Sequence, residues 1–414
     1  AALPFMGACA PEEEPPPPPP PEDGEEPPPP PPEVKTYTFG FSWPLNSALG
    51  IESARWWEII IPEFNEKGGM VVNGQRYKLD WIMYDDKYTA EGARANTERL
   101  VHEDKVDMMW CLGSGPSIGV IPVTEEAHML FFSCGGSPKL LAPEYKYIWP
   151  RMTNGAAIEE SALAYIMGVY PEAKTFVSFT IDDESGHSSA ETSALICEKL
   201  GLTVLPSVYY PRETIDYAPM AVKLSQLNPD IISFGGTEGG SELGVQVKAM
   251  WETGWRGIRY SSFAINMAEF GQMVTKEQME GVHCGYLPMG DTDLMNEKMR
   301  HLKEAYIAKY GDWTSTGSSW VLGWWFWLAA VQKADSLNTD DIIAVLPFLT
   351  VETHEGWAQL VKRIDTGEGV LEKFGVVCEH SFGVIHDGKL VAACTYSLED
   401  TIKAYEQVWG FSCR

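Results

Sequence analysis

From Lys35 onward, short apolar runs alternate with amphipathic stretches along nearly the whole chain. Residues 36–42 read as a strand. Residues 51–66 read as a helix, bent at Pro62 and ended by Lys67-Gly68-Gly69, where glycine permits a left-handed cap. Asn73-Gly74, between the apolar runs 70–72 and 76–79, signals a hairpin. The pattern then predicts a strand at 79–84, a helix at 90–103, a strand at 106–112, a helix at 117–127 and a strand at 129–133. It resumes with a strand at 174–180, a helix at 188–200, strands at 203–210 and 230–235, helices at 218–227 and 241–253, and a strand at 258–261. Repeated strand–helix units form parallel sheets with helices on both faces, so the fold class is α/β. Ligands of such sheets bind beyond the carboxyl ends of the strands. The apolar run 320–331 is too short to span a bilayer and reads as a buried helix.

Composition adds two exclusions. The 414 residues carry 58 acids and 31 bases, a formal charge of −27, with 44% hydrophobic residues. The first 34 residues hold eight acids and no base, which leaves 50 acids against 31 bases, or −19, on the body. So acidic a body argues against a nucleic-acid partner, because phosphate binding needs a basic surface. Residues 11–32 hold fourteen of the 29 prolines and almost nothing to bury. The runs 15–21 and 27–32 favour extended polyproline II, and seven such residues reach about 22 Å at ~3.1 Å each. Met6-Gly7-Ala8-Cys9 resembles the end of a bacterial lipoprotein signal, with small residues before the cysteine that receives lipid. The expectation is a residual signal at 1–8, then lipidated Cys9 and a stiff spacer over 9–34 that holds an extracytoplasmic domain off the membrane. The competing readings are a clipped ordinary signal peptide, and a proline-rich ligand for a partner domain.

Within the body, the order of motifs resembles a known family. The first strand leads to Pro44-Leu45 and Gly50; Phe64-Asn65-Glu66-Lys67-Gly68-Gly69 and Tyr84-Asp85-Asp86 follow. Val106-Asp107 runs into Gly113-Ser114-Gly115, and Phe132-Ser133-Cys134-Gly135-Gly136-Ser137-Pro138-Lys139-Leu140 comes next. Ile181-Asp182-Asp183, Thr214-Ile215-Asp216-Tyr217, Asn228-Pro229-Asp230 and Lys309-Tyr310-Gly311 complete the series. The chain is similar to type I periplasmic-binding-fold proteins, specifically the branched-chain amino acid (Leu/Ile/Val) receptor family of ABC transporters. The resemblance implies two Rossmann-like lobes joined by a three-segment hinge, at 35–152 plus 286–350 and at 153–285 plus 351–414. It also implies a monomer that traps a small molecule in the interlobe cleft and delivers it to an ABC permease, with no catalysis, cofactor or metal.

Gly113-Ser114-Gly115-Pro116-Ser117, between a strand and a helix, offers free N–H groups and hydroxyls suited to a carboxylate. The resemblance gives the same role to Ser114 and to Gly135, Gly136 and Ser137, although the turn is one residue shorter than in the family, which leaves its register open. Three departures bear on the ligand. The second-lobe motif usually carries a tyrosine lid, but here reads Asp182-Asp183-Glu184-Ser185-Gly186. Phe263 stands where amino-acid receptors place an acid for the ligand ammonium. The first loop, which contains Asn46, is about three residues short. Trp43, Tyr88, Phe263 and Trp320 are candidates for an aromatic-lined chamber, with some of the four packing the core instead. Thr237 and Glu238 follow a strand end, and Glu238 would restore an ammonium partner if it faced the cleft. The expected ligand is a small organic acid with an apolar or aromatic body; the alternatives are an amino acid, or a receptor that feeds a signalling protein.

Other chemistries fit less well. Gly115-Pro116-Ser117-Ile118-Gly119 matches the Gly-x-Ser-x-Gly pattern of hydrolases, but the predicted helix puts Ser117 inside it instead of on the turn. Gly113-x-Gly115 lacks the third glycine of a dinucleotide fingerprint at the required spacing. The histidines are scattered, and the seven cysteines after Cys9 form no paired ligand spacing.

Overall fold

The computed structural model describes residues 33–150, 155–235, 239–314, 317–365 and 369–414. Cys9, the spacer as far as residue 32, and Thr237 with Glu238 lie outside the described residues, and the last spacer residue, Val34, already opens the first strand. Residues 34–414 form one compact unit.

The first sheet is built around its first strand. Val34–Trp43 is flanked in parallel register by Gln75–Asp85 and Met108–Leu112, and all five residues of the latter are buried. The spatial order is Met70–Val72, Gln75–Asp85, Val34–Trp43, Met108–Leu112, Phe131–Cys134, Ile148–Pro150. Only the outermost hairpin is antiparallel, turned by Asn73 and Gly74 at φ 47° and 76°. Both central residues at positive φ give the turn whose twist matches the strands.

A second sheet runs Lys389–Tyr396, His380–His386, His283–Leu287, Ile258–Ser261, Ile231–Phe234, Thr175–Ile181, Thr203–Val204. Its centre is parallel, and its last two strands in sequence add antiparallel at one edge. The single strand predicted over 203–210 is two short pieces, Thr203–Val204 and Val208–Tyr210, both on the Thr175–Ile181 edge. Pro206 lies in the gap, where its missing N–H cannot extend the ladder.

Sequence patterning did not predict the antiparallel sheet Thr350–Thr353, Gly356–Arg363, Leu371–Cys378. Its side chains alternate between two cores. Ala358, Leu360, Val376 and Cys378 join the aromatic core of the first sheet, where Phe39, Trp57, Trp110 and Trp327 also pack. Val361 and Val377 face the core built by the helices Gly155–Val169 and Leu398–Trp409. The chain therefore passes between the main sheets three times: after Pro150, after Leu287, and through this small sheet. This is the two-lobed type I periplasmic-binding architecture.

The helices obey local capping rules. Ser47, Thr89 and Asp183 each accept an N–H of the first turn from Gly50, Gly92 and Gly186. The helix Ser114–Glu126 starts three residues before the predicted boundary. Pro116 causes no break there, because the first-turn N–H groups have no intrahelical partner anyway.

The helix Gly155–Val169 buries two consecutive acids in the second lobe. Glu159 accepts from the Ser193 hydroxyl at 2.6 Å, and Glu160 accepts from the Trp409 indole N–H. Burial raises both carboxyls, Glu159 from 4.5 to about 7. Below about pH 4.5 Glu159 is protonated in both the folded and unfolded states. As the pH rises, the unfolded chain releases the proton first, so stability falls between about 4.5 and 7 and then levels off. Urea midpoints measured at about pH 5 and about pH 8 should fall less in Glu159→Gln than in wild type. An equal fall would show that Glu159 does not titrate in this window.

Candidate functional site

Two sheet ends face each other across the cleft, and each supplies polar groups at the carboxyl ends of its strands. On the first lobe, Met108–Leu112 runs into Gly113 at φ 97°, a conformation that L side chains rarely adopt. The Tyr88 ring occupies the space a Gly113 Cβ would need, 2.7 Å from that position. The following helix starts with no side-chain cap, so its N–H groups are left for another acceptor. Gly135 packs against Ser114; a Cβ there would lie 2.9 Å from the Ser114 Cα. The buried Ser137 donates its N–H to the Ser114 hydroxyl at 3.2 Å. Gly136 is exposed at the tip of this turn.

The second lobe answers with charge. Asp183 caps the helix Glu184–Lys199 and binds the Arg212 guanidinium. The Ser137 hydroxyl donates to Glu184 Oε1 at 2.7 Å, and the Lys139 ammonium reaches Glu184 Oε2 at 3.0 Å. The first-lobe turn thus already holds a carboxylate, supplied by the opposite lobe. Beside it, the Tyr88 hydroxyl lies 3.3 Å from Ser185 Oγ, and the Arg212 guanidinium sits 4.1 Å from the centre of the Tyr88 ring. The aromatic group facing Ser185 therefore comes from the first lobe, not from the second-lobe position where the family's tyrosine stands.

Tyr88 is held in a left-handed conformation, φ 59°, by its N–H to Asp86 Oδ1 at 2.8 Å. Asp86 also accepts from Ser42 at 2.9 Å, and burial raises its carboxyl to about 6 despite these bonds.

The other candidates separate into two groups. Phe263 and Trp320, from opposite lobes, stack at 6.2 Å with an interplanar angle of 13°, and Tyr286 continues the stack at 5.9 Å and 26°. Trp43 is wholly buried, with its indole N–H donating to Ser53 Oγ at 2.9 Å and Gly50 O at 3.1 Å. In this conformation Trp43 belongs to the core beneath the first loop and presents no face to a ligand. Asn46 is exposed on that loop. Ser117 lies buried inside the helix, its hydroxyl 2.7 Å from that of Ser133, which does not fit the exposed turn a hydrolase nucleophile requires.

Behind the aromatic stack, Glu355 accepts from Ser318 Oγ at 2.6 Å and from Met289 N–H at 2.8 Å. His354 donates from Nε2 to Ser318 O at 2.7 Å and accepts the Trp325 indole N–H at Nδ1 at 2.9 Å. Both ring nitrogens are matched in one neutral tautomer, and burial lowers the basicity of the ring further. These bonds join the second and third interlobe passages. Sequence reading missed Lys139, Glu184, Arg212, Tyr286, His354 and Glu355. Arg212 was findable, since it lies two residues beyond the strand Val208–Tyr210, where ligand groups are expected.

The profile of the periplasmic binding protein family matches residues 36–367, and the chain belongs to that family. Among solved structures it is similar to the leucine-binding protein LivK of Thermotoga maritima, with 17% identity and a TM-score of 0.70 over 89% of this chain and 100% of that one. It is also similar to an ABC-transporter solute-binding protein of R. palustris in complex with benzoate, with 14% identity and a TM-score of 0.69 over 87% and 96%. LivJ of Streptococcus pneumoniae in complex with isoleucine matches at 17% identity and a TM-score of 0.65, over 88% and 99%. The chain is thus a periplasmic binding protein by family, and it shares the fold of the leucine-binding LivK and of LivJ. Among the described residues no helix is long and apolar enough to cross a membrane.

The contacts of Glu184 generate a test that needs no ligand. Glu184→Ala removes both bonds from the second lobe to Ser137 and Lys139, so the ligand-free protein should populate more open conformations. Small-angle scattering should then give a larger radius of gyration than wild type. An unchanged radius would mean that the lobes are held together elsewhere.

Proposed function

We propose that this chain is an extracytoplasmic solute receptor that closes on a small organic carboxylate with an apolar or aromatic body and hands it to an ABC importer. One observation carries the ligand class: Ser137 and Lys139, beside the uncapped start of Ser114–Glu126, already bind a carboxylate, that of Glu184. A ligand carboxylate can take the same donors by displacing Glu184. Ser114, Gly135, Gly136, Ser137, Tyr88 and Ser185 line this seat in the proposal. Phe263 and Trp320, with Asn46 at the margin, receive the body of the ligand, and Thr237 is kept as a proposed further contact from the sequence alone. A stacked phenyl ring at Phe263, where amino-acid receptors carry an acid, supports an acid over an amino acid. A specific observation favours the second reading: Asp183 and Glu184 stand at the same seat, and a ligand ammonium can pair with either.

A thermal-shift panel of leucine, valine, benzoate, phenylacetate and short aliphatic acids separates the readings. Benzoate-like acids should stabilise the protein by about 2.7 kcal/mol at a hundredfold excess over the dissociation constant. Stabilisation by leucine or valine with none by the aromatic acids would sink the first reading in favour of the second.

Cys9 completes the proposal as the lipid anchor, with residues 9–34 as spacer and the receptor working as a monomer. In cell fractionation, the Cys9→Ser precursor should move from the membrane to the soluble fraction. Wild-type protein already soluble would refute the anchor.

A further inference from the structure

Three consecutive acids, Asp182, Asp183 and Glu184, lead from the second-lobe strand Thr175–Ile181 into the helix Glu184–Lys199. Two of them are satisfied within their own lobe. Asp182 binds the His187 ring at 2.7 Å, while Asp183 accepts the Gly186 N–H at 3.0 Å and pairs with Arg212. Asp183 caps the helix by itself, so Glu184 is not needed there. Glu184 instead spends both carboxylate oxygens on the first lobe, one on Ser137 and one on Lys139. Its backbone is fixed, because it is the first residue of the helix behind the cap.

The receiving side is arranged for a carboxylate. Ser137 is buried, its N–H goes to the Ser114 hydroxyl, and its own Oγ accepts the Lys139 N–H at 3.3 Å. The hydroxyl therefore has its single hydrogen left to donate, and that hydrogen goes to Glu184. The Lys139 ammonium supplies the second donor and the positive charge. Nearby, the second lobe also lays the Phe263 ring on Trp320 of the first. One lobe thus presents to the other an acid and a ring, the two parts of the ligand proposed above.

We infer that Glu184 is a built-in competitor that sets the affinity of the receptor for its acid ligand; the inference rests on the carboxylate reading of the seat. The receptor rests with its own carboxylate on Ser137 and Lys139, and only molecules whose seat is released can take a ligand. A seat self-occupied in about nine molecules of ten leaves about one in ten competent, which weakens the apparent affinity about tenfold. The same two bonds tie the lobes together, so releasing the seat and parting the lobes are one event. An acid that cannot replace both bonds loses to Glu184, which makes the competitor a filter as well as a brake.

The test is isothermal titration of the full chain with sodium benzoate and sodium butyrate, against sodium chloride at matched ionic strength. Glu184→Ala should bind the better of the two acids about threefold or more tighter than wild type, although it removes a residue that lines the cleft. Glu191→Gln is the control: it removes the charge of an exposed acid on the same helix that also acts on Lys139 through space, and it should stay within about twofold of wild type. Lys139→Met added to Glu184→Ala should weaken the acid again, because there Lys139 serves the ligand alone. Unchanged or weaker binding in Glu184→Ala, with Lys139 still required, overturns the competitor and leaves the carboxylate seat standing. Equal tightening in Glu191→Gln also overturns it, since any lost negative charge would then suffice. Absence of saturable binding of both acids in every variant, or binding indifferent to Lys139, overturns the seat itself and the competitor with it.

Discussion

The period-two alternation along Gly356–Arg363 and Leu371–Cys378 governs how the two lobes can be related. Leu360 and Val376 are fixed in one hydrophobic core, while their chain neighbours Val361 and Val377 are fixed in another. A strand committed on both faces cannot slide by one residue without turning its apolar side chains to the wrong side. The lobes can therefore swing about this sheet but not shear past it. This explains how a cleft made of separate sheet ends can meet with hydrogen-bond accuracy.

Charge in the cleft is arranged in pairs. Arg212 meets Asp183 and Lys139 meets Glu184, and the Arg212 guanidinium also lies over the Tyr88 ring of the first lobe. These groups are partly exposed, so each pair contributes little to stability by itself. In the proposed function their value is positional: a ligand that replaces one carboxylate must match its geometry, and a ligand of the wrong charge leaves an ion without a partner.

Much of the parallel fold was legible because apolar runs, glycine turns and caps agreed with one another over residues 36–261. Residues 218–227 and 258–261 fall on the helix and strand as predicted. The failures have physical causes. Pro206 interrupts a run that is otherwise strand-like, and Pro116 hides a helix start because proline is harmless in a first turn. The small hinge sheet is buried on both faces over Leu360 and Val361 and over residues 375–378, against different cores, so those stretches lack the polar–apolar alternation that marks a half-exposed strand. At the site, glycine and serine turns announced themselves by composition. Glu184 and His354 did not, since nothing local in a sequence says which distant hydroxyl or indole a side chain will meet. Trp43 misled for the opposite reason: an aromatic residue at a strand end looks the same whether it faces ligand or core.

The cysteines described above as lacking any ligand spacing turn out to be sorted by depth. Among the described cysteines only Cys394, on Lys389–Tyr396, is partly exposed; the rest are buried. Burial raises the thiols of Cys284 and Cys413 to about 12, which keeps them protonated and poor nucleophiles at neutral pH. Reagents that seek thiolates should therefore find the edge strand first. With Cys9 replaced, a maleimide dye would label the folded receptor selectively at Cys394, on the edge strand beside the hinge, and give an optical reporter of its motion without any engineered cysteine.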